Sequence, residues 1–346
     1  MGEECPRTFS PSDTVVQVVR QVNPGHANPL GIMHGGYMLE WIIDAATLQS
    51  MRISRGYTVA ACMEDMVFIA PVRVGSLVVM TSWVEFIGRS SVEVSILVET
   101  EDPSRGERAV TTYSSLTMVA VDEKLKPRPV KACIKPREDF EKELVEAAIK
   151  RRVERESRIR GRKLKISQIE PPRALIEGYS VKSYKIVNPE DSVSHNVLHA
   201  GKLMKLLDEI AGIVASKYSG GITVTGAVDA TDFYSPVYVG DVIETHAALT
   251  YVGSRSVEVT VKVLARNPLT WEARHTTTSY FTFVHVGREG KSMLVREFKP
   301  TEEWQKNILA EAQARRERRT TIINKLRSRE FLEKIDKIRE KIATKT

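Results

Sequence analysis

Two polar side chains stand out because each occurs in only one of two comparable places. Asp208 lies on a segment of helical pattern, beside Met204, Ala211 and Ala215. That flank of mostly small side chains lets another backbone approach closely. A carboxylate at the edge of such a seam is partly desolvated, which raises its pKa and suits it to acid or base work. Asn28 opens the loop Asn28-Pro29-Leu30-Gly31-Ile32-Met33-His34-Gly35-Gly36, which leads into an earlier helical segment. The positions comparable to Asp208 and Asn28 are Ile43 and Val193, which can do neither job. An amide is present once and a seam carboxylate once, in different places.

What makes the places comparable is an internal repeat. A shift of 165 residues lays Val22 to Val121 on Val187 to Val286 without a gap. Roughly 27 of about 100 positions are identical, and most others exchange one apolar residue for another. Asn23-Pro24 falls on Asn188-Pro189, His34-Gly35-Gly36 on His199-Ala200-Gly201, Pro71-Val72 on Pro236-Val237, and Ser91-Val92-Glu93-Val94 on Ser256-Val257-Glu258-Val259. Two copies in one chain form a pseudo-symmetric pair, and one copy is expected to have lost or gained a role where they differ.

Each copy opens with a short strand pattern, Val15–Val22 or Tyr179–Val187, and a polar loop. One long helical pattern follows, about His34–Arg52 or His199–Lys217, stopped by Gly56 or by Gly220-Gly221. The period then becomes strand-like over Val59–Ile69, Leu77–Ile87, Val92–Thr100 and Ala109–Val121, and over their counterparts Val224–Tyr234, Val242–Val252, Val257–Ala265 and Arg274–Val286. One helix and about five strands per copy predict an α+β fold, an antiparallel sheet wrapped around a single helix. In the second helix Leu203, Leu206, Leu207, Ile210, Ile213 and Val214 are read as the stripe facing the sheet. Asp44 and Glu209 are read as solvated on the outer face.

At 346 residues the chain is long enough for two domains. The expected division is 10–125 and 176–295 for the copies, 126–175 for a charged helical linker and 296–346 for a basic helical tail. The net charge is +7, yet residues 131–173 and 299–346 each hold 14 Lys/Arg against 8 Asp/Glu. The copies are therefore mildly acidic, and a nucleic-acid partner would rest on the appendages alone. These mix Arg and Lys with Glu, so their charge reads as that of solvated helices with i,i+4 ion pairs, and no nucleic acid is expected. The helical stretches are Glu138–Arg160 and Glu302–Lys341, and in the tail Trp304, Ile308, Leu309, Ile322, Ile323, Leu326, Phe331 and Ile335 supply an intermittent apolar face for packing on its own protomer or a neighbour. No run of apolar residues is long enough for a membrane span, and no signal peptide is visible. Cys5, Cys62 and Cys133 show neither metal nor disulfide spacing, which fits a cytoplasmic setting. Cys62 reads as a small core residue.

Asn-x5-His-Gly-Gly before a long helix, Asp208-Glu209-Ile210-Ala211-Gly212, the Phe-x-x-Pro-Val-x-x-Gly run and Ser-Val-Glu-Val recur in order and at matching spacing. Together they resemble the hotdog-fold acyl-CoA thioesterases, specifically the tandem type of the cytosolic acyl-CoA hydrolases. The resemblance covers about 10–125 and 176–295. It implies two hotdog domains paired edge to edge with antiparallel helices, and hydrolysis of acyl-CoA to fatty acid and CoA at their seam. It also implies a catalytic pair of Asn28 from one copy and Asp208 from the other, with the mirror pair vacant at Val193 and Ile43. No cofactor is implied, CoA being part of the substrate, and self-association as a trimer of double hotdogs is.

Asp208 lies nine residues past His199, about 13 Å along its helix at 1.5 Å per residue, so it cannot serve its own helix start. An antiparallel partner helix would bring His34-Gly35-Gly36 to it. There Asp208 is expected to act as general base on water, nucleophilic attack being the lesser variant, with Asn28 orienting water or carbonyl. The N–H groups of Gly35 and Gly36 would hold the thioester oxygen. His34 and His199 share one position, so a structural role competes with contact to substrate. Arg89, Ser90, Ser91, Arg255 and Ser256 begin strands and are candidates for CoA phosphates or simple turn residues. Tyr57, Thr58, Glu64, Thr223 and Asp229 are candidate seam residues, and Trp41, Met38 and Leu206 candidates for setting acyl length. His195 and Asn196 could cap their loop or supply a substitute polar contact. No metal spacing is present among the histidines. The alternatives are a non-catalytic acyl-CoA-binding or regulatory protein, for which a split acid–amide pair has no use, and a hotdog hydratase, whose Asp/His or His/Glu pair is absent from both loops.

Overall fold

The computed structural model describes residues 5–163, 169–194 and 196–343; the side chains of 160–163, 193–194 and 342–343 lie outside that description, as does His195. The first copy runs through β1 (Thr8–Phe9), β2 (Val16–Gln21), α1 (Gly35–Ser54), β3 (Thr58–Met63), β4 (Met66–Val67), β5 (Leu77–Ile87), β6 (Ser91–Glu101) and β7 (Arg108–Ala120). Then come β8 (Cys133–Ile134) and α2 (Asp139–Lys163). The second copy holds β9 (Ser180–Ile186), β10 (Ser192–Ser194), β11 (Val197–Leu198), α3 (Ala200–Ser219), β12 (Ile222–Val228), β13 (Thr231–Asp232), β14 (Val242–Val252), β15 (Ser256–Arg266) and β16 (Ala273–Val286). The helices α4 (Glu303–Leu326) and α5 (Arg329–Ala343) follow.

Two six-stranded antiparallel sheets form, β13-β3-β7-β6-β5-β2 and β4-β12-β16-β15-β14-β9. Each borrows one short strand from the other copy: Met66 and Val67 pair with Val228 and Ala227, and Thr231 and Asp232 with Met63 and Cys62. The strands expected over Val59–Ile69 and Val224–Tyr234 are therefore interrupted. Each begins in its own sheet and ends in its neighbour's, which stitches the two hotdogs together.

The helices α1 and α3 lie between the sheets and cross antiparallel. A Cβ on Gly36 would stand 3.1 Å from Lys205 Cα, and one on Gly201 would stand 3.0 Å from Glu40 Cα. As the number rises on one helix it falls on the other. Only glycine permits this approach, because the obstructing atoms are backbone. Gly36→Ala is expected to force the helices apart and destabilise the chain by about 1–3 kcal/mol, read from urea unfolding. Around the crossing Leu39, Ile42, Ile43, Leu203, Met204, Leu207, Ile210 and Val214 are buried in one core shared with both sheets. Ile213, expected to face the sheet, is 56% exposed and borders a cavity instead. Arg55, with φ 52°, rather than Gly56, takes the left-handed position that ends α1, while Gly220 does so for α3.

The charged appendages do not stand in solvent as their charge suggests; the apolar face expected for the tail packs on its own chain, with Leu326, Phe331 and Ile335 buried. The helix α2 lies on the outer face of the first sheet, where Arg155 pairs with Glu93 at 2.7 Å and Arg151 pairs with Glu85. Arg158 pairs with Asp232 at 3.0 Å and with Glu64 at 3.4 Å. The helix α4 covers the second sheet, where Arg315 holds Glu258 at 2.6 Å and Arg319 bridges Asp229 and Glu258, each at 2.9 Å. Burial pushes Asp229 up to about 6 against the opposing pull of Arg319. The helix α5 reaches back over the first sheet, burying Phe331, Ile335 and Ile338 with Trp83 and Phe140. Glu64 and Asp229, expected at the seam, are thus taken by arginines of the linker and tail. The sheets' acidity and the appendages' basicity are two halves of one internal complementarity.

Cys5 and Cys133 are joined by a disulfide, their Cα atoms 6.2 Å apart, contrary to the reading from spacing. The parallel pairing of β1 with β8 brings them together, a contact that sequence distance conceals. Cys62 is buried, and burial pushes its thiol up.

Candidate active site

The loop before α1 is held by Asn28. Its Oδ1 accepts from the Leu30 N–H at 2.9 Å and the Ile32 N–H at 3.2 Å, and its backbone N–H donates to the Ile32 carbonyl at 2.8 Å. The oxygen is thereby committed to the loop, and the amide nitrogen is left as a donor. His34 caps α1, accepting from the Gly36 N–H through Nδ1 at 3.2 Å.

Asp208 comes from the middle of α3 to this helix start. Its Oδ2 accepts from the Gly36 N–H at 2.8 Å and lies 3.2 Å from His34 Nδ1, and its Oδ1 accepts from the Thr225 hydroxyl at 2.8 Å. The carboxyl is wholly buried, and desolvation raises its pKa against the lowering by His34, Thr225 and the Gly36 N–H. The expected meeting of the two copies is present. One expectation changes: the Gly36 N–H already serves Asp208, so of the two glycines only Gly35 remains as a helix-start donor.

Thr225 was not among the sequence candidates. A Cβ on Gly35 would fall 2.4 Å from its Oγ1, so Thr225 reaches Asp208 only because residue 35 is glycine. The mirror positions are Ala200 for Gly35 and Ala60 for Thr225. A glycine–threonine pair in one half and an alanine–alanine pair in the other is a signal that the repeat did contain.

A cavity of about 840 Å³ opens beside this cluster, lined among others by Asn28, His34, Gly35, Met38, Phe68, Val72, Gly212, Ile213, Thr225 and Phe283. Its lining is mainly apolar, with Asn28, His34 and Thr225 as polar points at one place. Thr223 and Glu209 also border it; Glu209 pairs with Lys205 at 2.7 Å rather than standing free. Trp41 and Leu206 do not line it. Arg255 donates to the Ser292 carbonyl, and Ser292 lines the cavity; Ser256 pairs with the lining residue Val284. Arg89, Ser90 and Ser91 do not come to this cavity. They lie by the mirror half, where Ser91 pairs with Val119.

Known proteins resemble this chain in both copies. A model described as "Thioesterase superfamily" matches residues 30–107 and again 195–272. The chain is 36% identical over 127 residues to a Bacillus subtilis (strain 168) protein named "Uncharacterized acyl-CoA thioester hydrolase YkhA", which covers 37% of this chain and 73% of that protein. The chain belongs to the thioesterase superfamily. Across both copies it is 28% identical over 311 residues to the human protein named "Cytosolic acyl coenzyme A thioester hydrolase", covering 86% of this chain and 81% of that one. A solved acyl-ACP thioesterase from Bacteroides thetaiotaomicron, 11% identical, shares the fold with a TM-score of 0.50 over 80% of this chain and all of its own. The chain is a tandem-hotdog member of this superfamily.

In this thioesterase-superfamily chain the mirror site is not equivalent. His199, at the position of His34, makes no side-chain cap. Its Nδ1 lies 3.4 Å from Asp44, which also pairs with Arg20 at 3.2 Å, so Asp44 is not merely solvated. Burial lowers the His199 pKa although Asp44 works against it. Ile43 and Ala60 replace the acid and the hydroxyl. Thr58 lines a second, smaller cavity beside this mirror site, while Tyr57 is exposed. Among the described residues no cluster of His, Cys, Asp and Glu is arranged to hold a metal, and no helix is long and apolar enough to cross a membrane.

Proposed function

We infer that this chain is an acyl-CoA thioesterase, hydrolysing acyl-CoA to a free fatty acid and CoA at one composite site between its two copies. One observation carries the reading: Asp208 of the second copy accepts from Gly36 of the first at 2.8 Å, beside the cavity that Asn28 lines. Relatives named for acyl-CoA thioester hydrolysis support the substrate class.

The thioester carbonyl is directed at the start of α1, where the Gly35 N–H and the Asn28 amide nitrogen donate as negative charge develops. One such donor is typically worth about 10²–10³ in rate, and the positive end of α1 adds to it. Asp208 is sealed behind Thr225 and His34, which argues against direct nucleophilic attack. A water bound at the Thr225 hydroxyl attacks the carbonyl carbon. Its proton passes to Thr225 Oγ1 as that hydroxyl passes its own to Asp208 Oδ1. The tetrahedral intermediate then collapses to the carboxylic acid as the C–S bond breaks and CoA thiolate leaves, and Asp208 returns the proton through Thr225 to that thiolate, giving free CoA thiol. Arg255 and Ser256, at the rim through Ser292 and Val284, are the candidates for CoA phosphates; Arg89, Ser90 and Ser91 fit this site less well.

Thr225→Ala is expected to lower kcat by about 10- to 150-fold, the loss of one hydrogen bond to a charged group, while Thr225→Ser stays within several-fold of wild type. Asn28→Ala is expected to lose about 10²-fold or more, whereas Ile43→Ala retains turnover. Free-thiol release from a panel of acyl-CoAs reads all four variants, and Thr225→Ala at full rate would remove the relay from the mechanism.

The tandem family's habit of forming trimers of double hotdogs extends to this chain. The outer edge strands β2 and β9 expose Val19, Tyr184 and Ile186, apolar surface suited to a neighbour. Light scattering at three chain masses would bear this out, and one chain mass would reject it. A cytoplasmic location follows the relatives named cytosolic. The Cys5–Cys133 disulfide pulls against it, since such bonds are rare in reducing compartments.

A further inference from the structure

The shift of 165 residues carries the wall of the large cavity onto that of a second cavity of about 240 Å³. Phe233 to Val237 stand where Phe68 to Val72 stand, and Ala200, Thr58 and Thr276 where Gly35, Thr223 and Thr111 do. The machinery is gone, with Ile43 for Asp208 and Ala60 for Thr225, yet the hollow remains. Core packing would ordinarily close a hollow that served nothing. A second observation points to a ligand. Thr276 is 1% exposed and lines this cavity, and its Oγ1 has no hydrogen-bond partner among the described residues. Its counterpart Thr111 bonds Thr100 at 2.6 Å. A buried hydroxyl left unpaired is costly, and a turn about χ1 that brings it from its sealed position to the cavity would let a polar ligand atom satisfy it. Size sets the ligand: Thr47 and Leu125 stand where the large cavity has Gly212 and Gly290.

We propose that the smaller cavity is a second, non-hydrolytic site that takes the thioester end of a short-chain acyl-CoA and leaves it intact. The ligand class rests on the activity inferred above. Each chain then binds two such molecules and hydrolyses one. The test is calorimetric titration of the full chain with 2-oxopentyl-CoA, a ketone analogue of butyryl-CoA that cannot be hydrolysed. Wild type is expected to bind two equivalents. Ala60→Leu, which fills the cavity, is expected to bind one while its kcat/KM for butyryl-CoA stays within about 2-fold, turnover reporting that it folds. Thr276→Val, nearly isosteric, should weaken only the second equivalent, by about 2- to 10-fold. One equivalent on wild type overturns the proposal, as do two unweakened equivalents on both variants. Wild type that binds two but hydrolyses no acyl-CoA would overturn the activity and leave the second site standing.

Discussion

Asp208→Asn is expected to lower kcat for acyl-CoA hydrolysis by about 10²–10⁴ without unfolding the chain. The Gly36 N–H and the Thr225 hydroxyl hold the two oxygens of Asp208 at 2.8 Å each. The amide keeps the shape of the carboxylate: its one oxygen still accepts from the Gly36 N–H, and its NH2 turns to Thr225 as a donor to that hydroxyl. It cannot take a proton. Stopped-flow or steady-state thiol release measures the loss, and unfolding by urea checks the fold. In wild type the same residue sets the acid side of the pH profile. Burial raises the Asp208 pKa above the ordinary carboxylate range. The base works ionised, so activity is full above that pKa and falls as pH drops through it, at a higher pH than an ordinary aspartate would give. A profile flat down to the ordinary aspartate range would show that some other group limits the rate.

Arg155→Ala is expected to destabilise the chain by about 3–5 kcal/mol, far beyond the roughly 0–1 kcal/mol of an exposed pair. Glu93 is 1% exposed and Arg155 7%, and two guanidinium nitrogens meet the carboxylate, at 2.7 and 3.2 Å. Truncating the arginine leaves Glu93 buried with the Thr117 hydroxyl, at 2.8 Å, as its remaining hydrogen bond among the described residues, and Arg151 as a more distant opposite charge. The paired replacement Arg155→Met with Glu93→Leu removes both charges and is expected to recover most of the loss. Urea unfolding of the three proteins gives the comparison. A loss below about 1 kcal/mol for Arg155→Ala would return α2 to the status of a solvated helix.

The repeat made most of the fold legible. One helix and the strands of each copy follow from periodicity, the small residues beside Asp208 mark a close seam, and its antiparallel sense is what the resemblance implies; the contacts of Gly36 with Lys205 and of Gly201 with Glu40 are what the structure adds. Asn28 and Asp208 were legible because the repeat isolates them, each present where its mirror is apolar. Thr225 was not, because a threonine in Ile222–Val228 looks like any good strand former; only its covariation with Gly35 under the shift sets it apart. The arginine pairs were hidden for a different reason. Glu85, Glu93 and Glu258 alternate with apolar residues as the wet face of a one-sided sheet would. Nothing in that alternation tells that α2 and α4 lie on the same face. The disulfide was hidden because Cys5 and Cys133 are neighbours only through the pairing of β1 with β8.

The most direct measurement is a structure of the chain with 2-oxopentyl-CoA bound. The ketone oxygen is expected within about 3.5 Å of the Asn28 amide nitrogen and the Gly35 N–H, with the Thr225 hydroxyl still on Asp208 and facing the carbonyl carbon. An analogue seated in the large cavity with its carbonyl remote from Asn28, or from the Thr225–Asp208 pair, would contradict it.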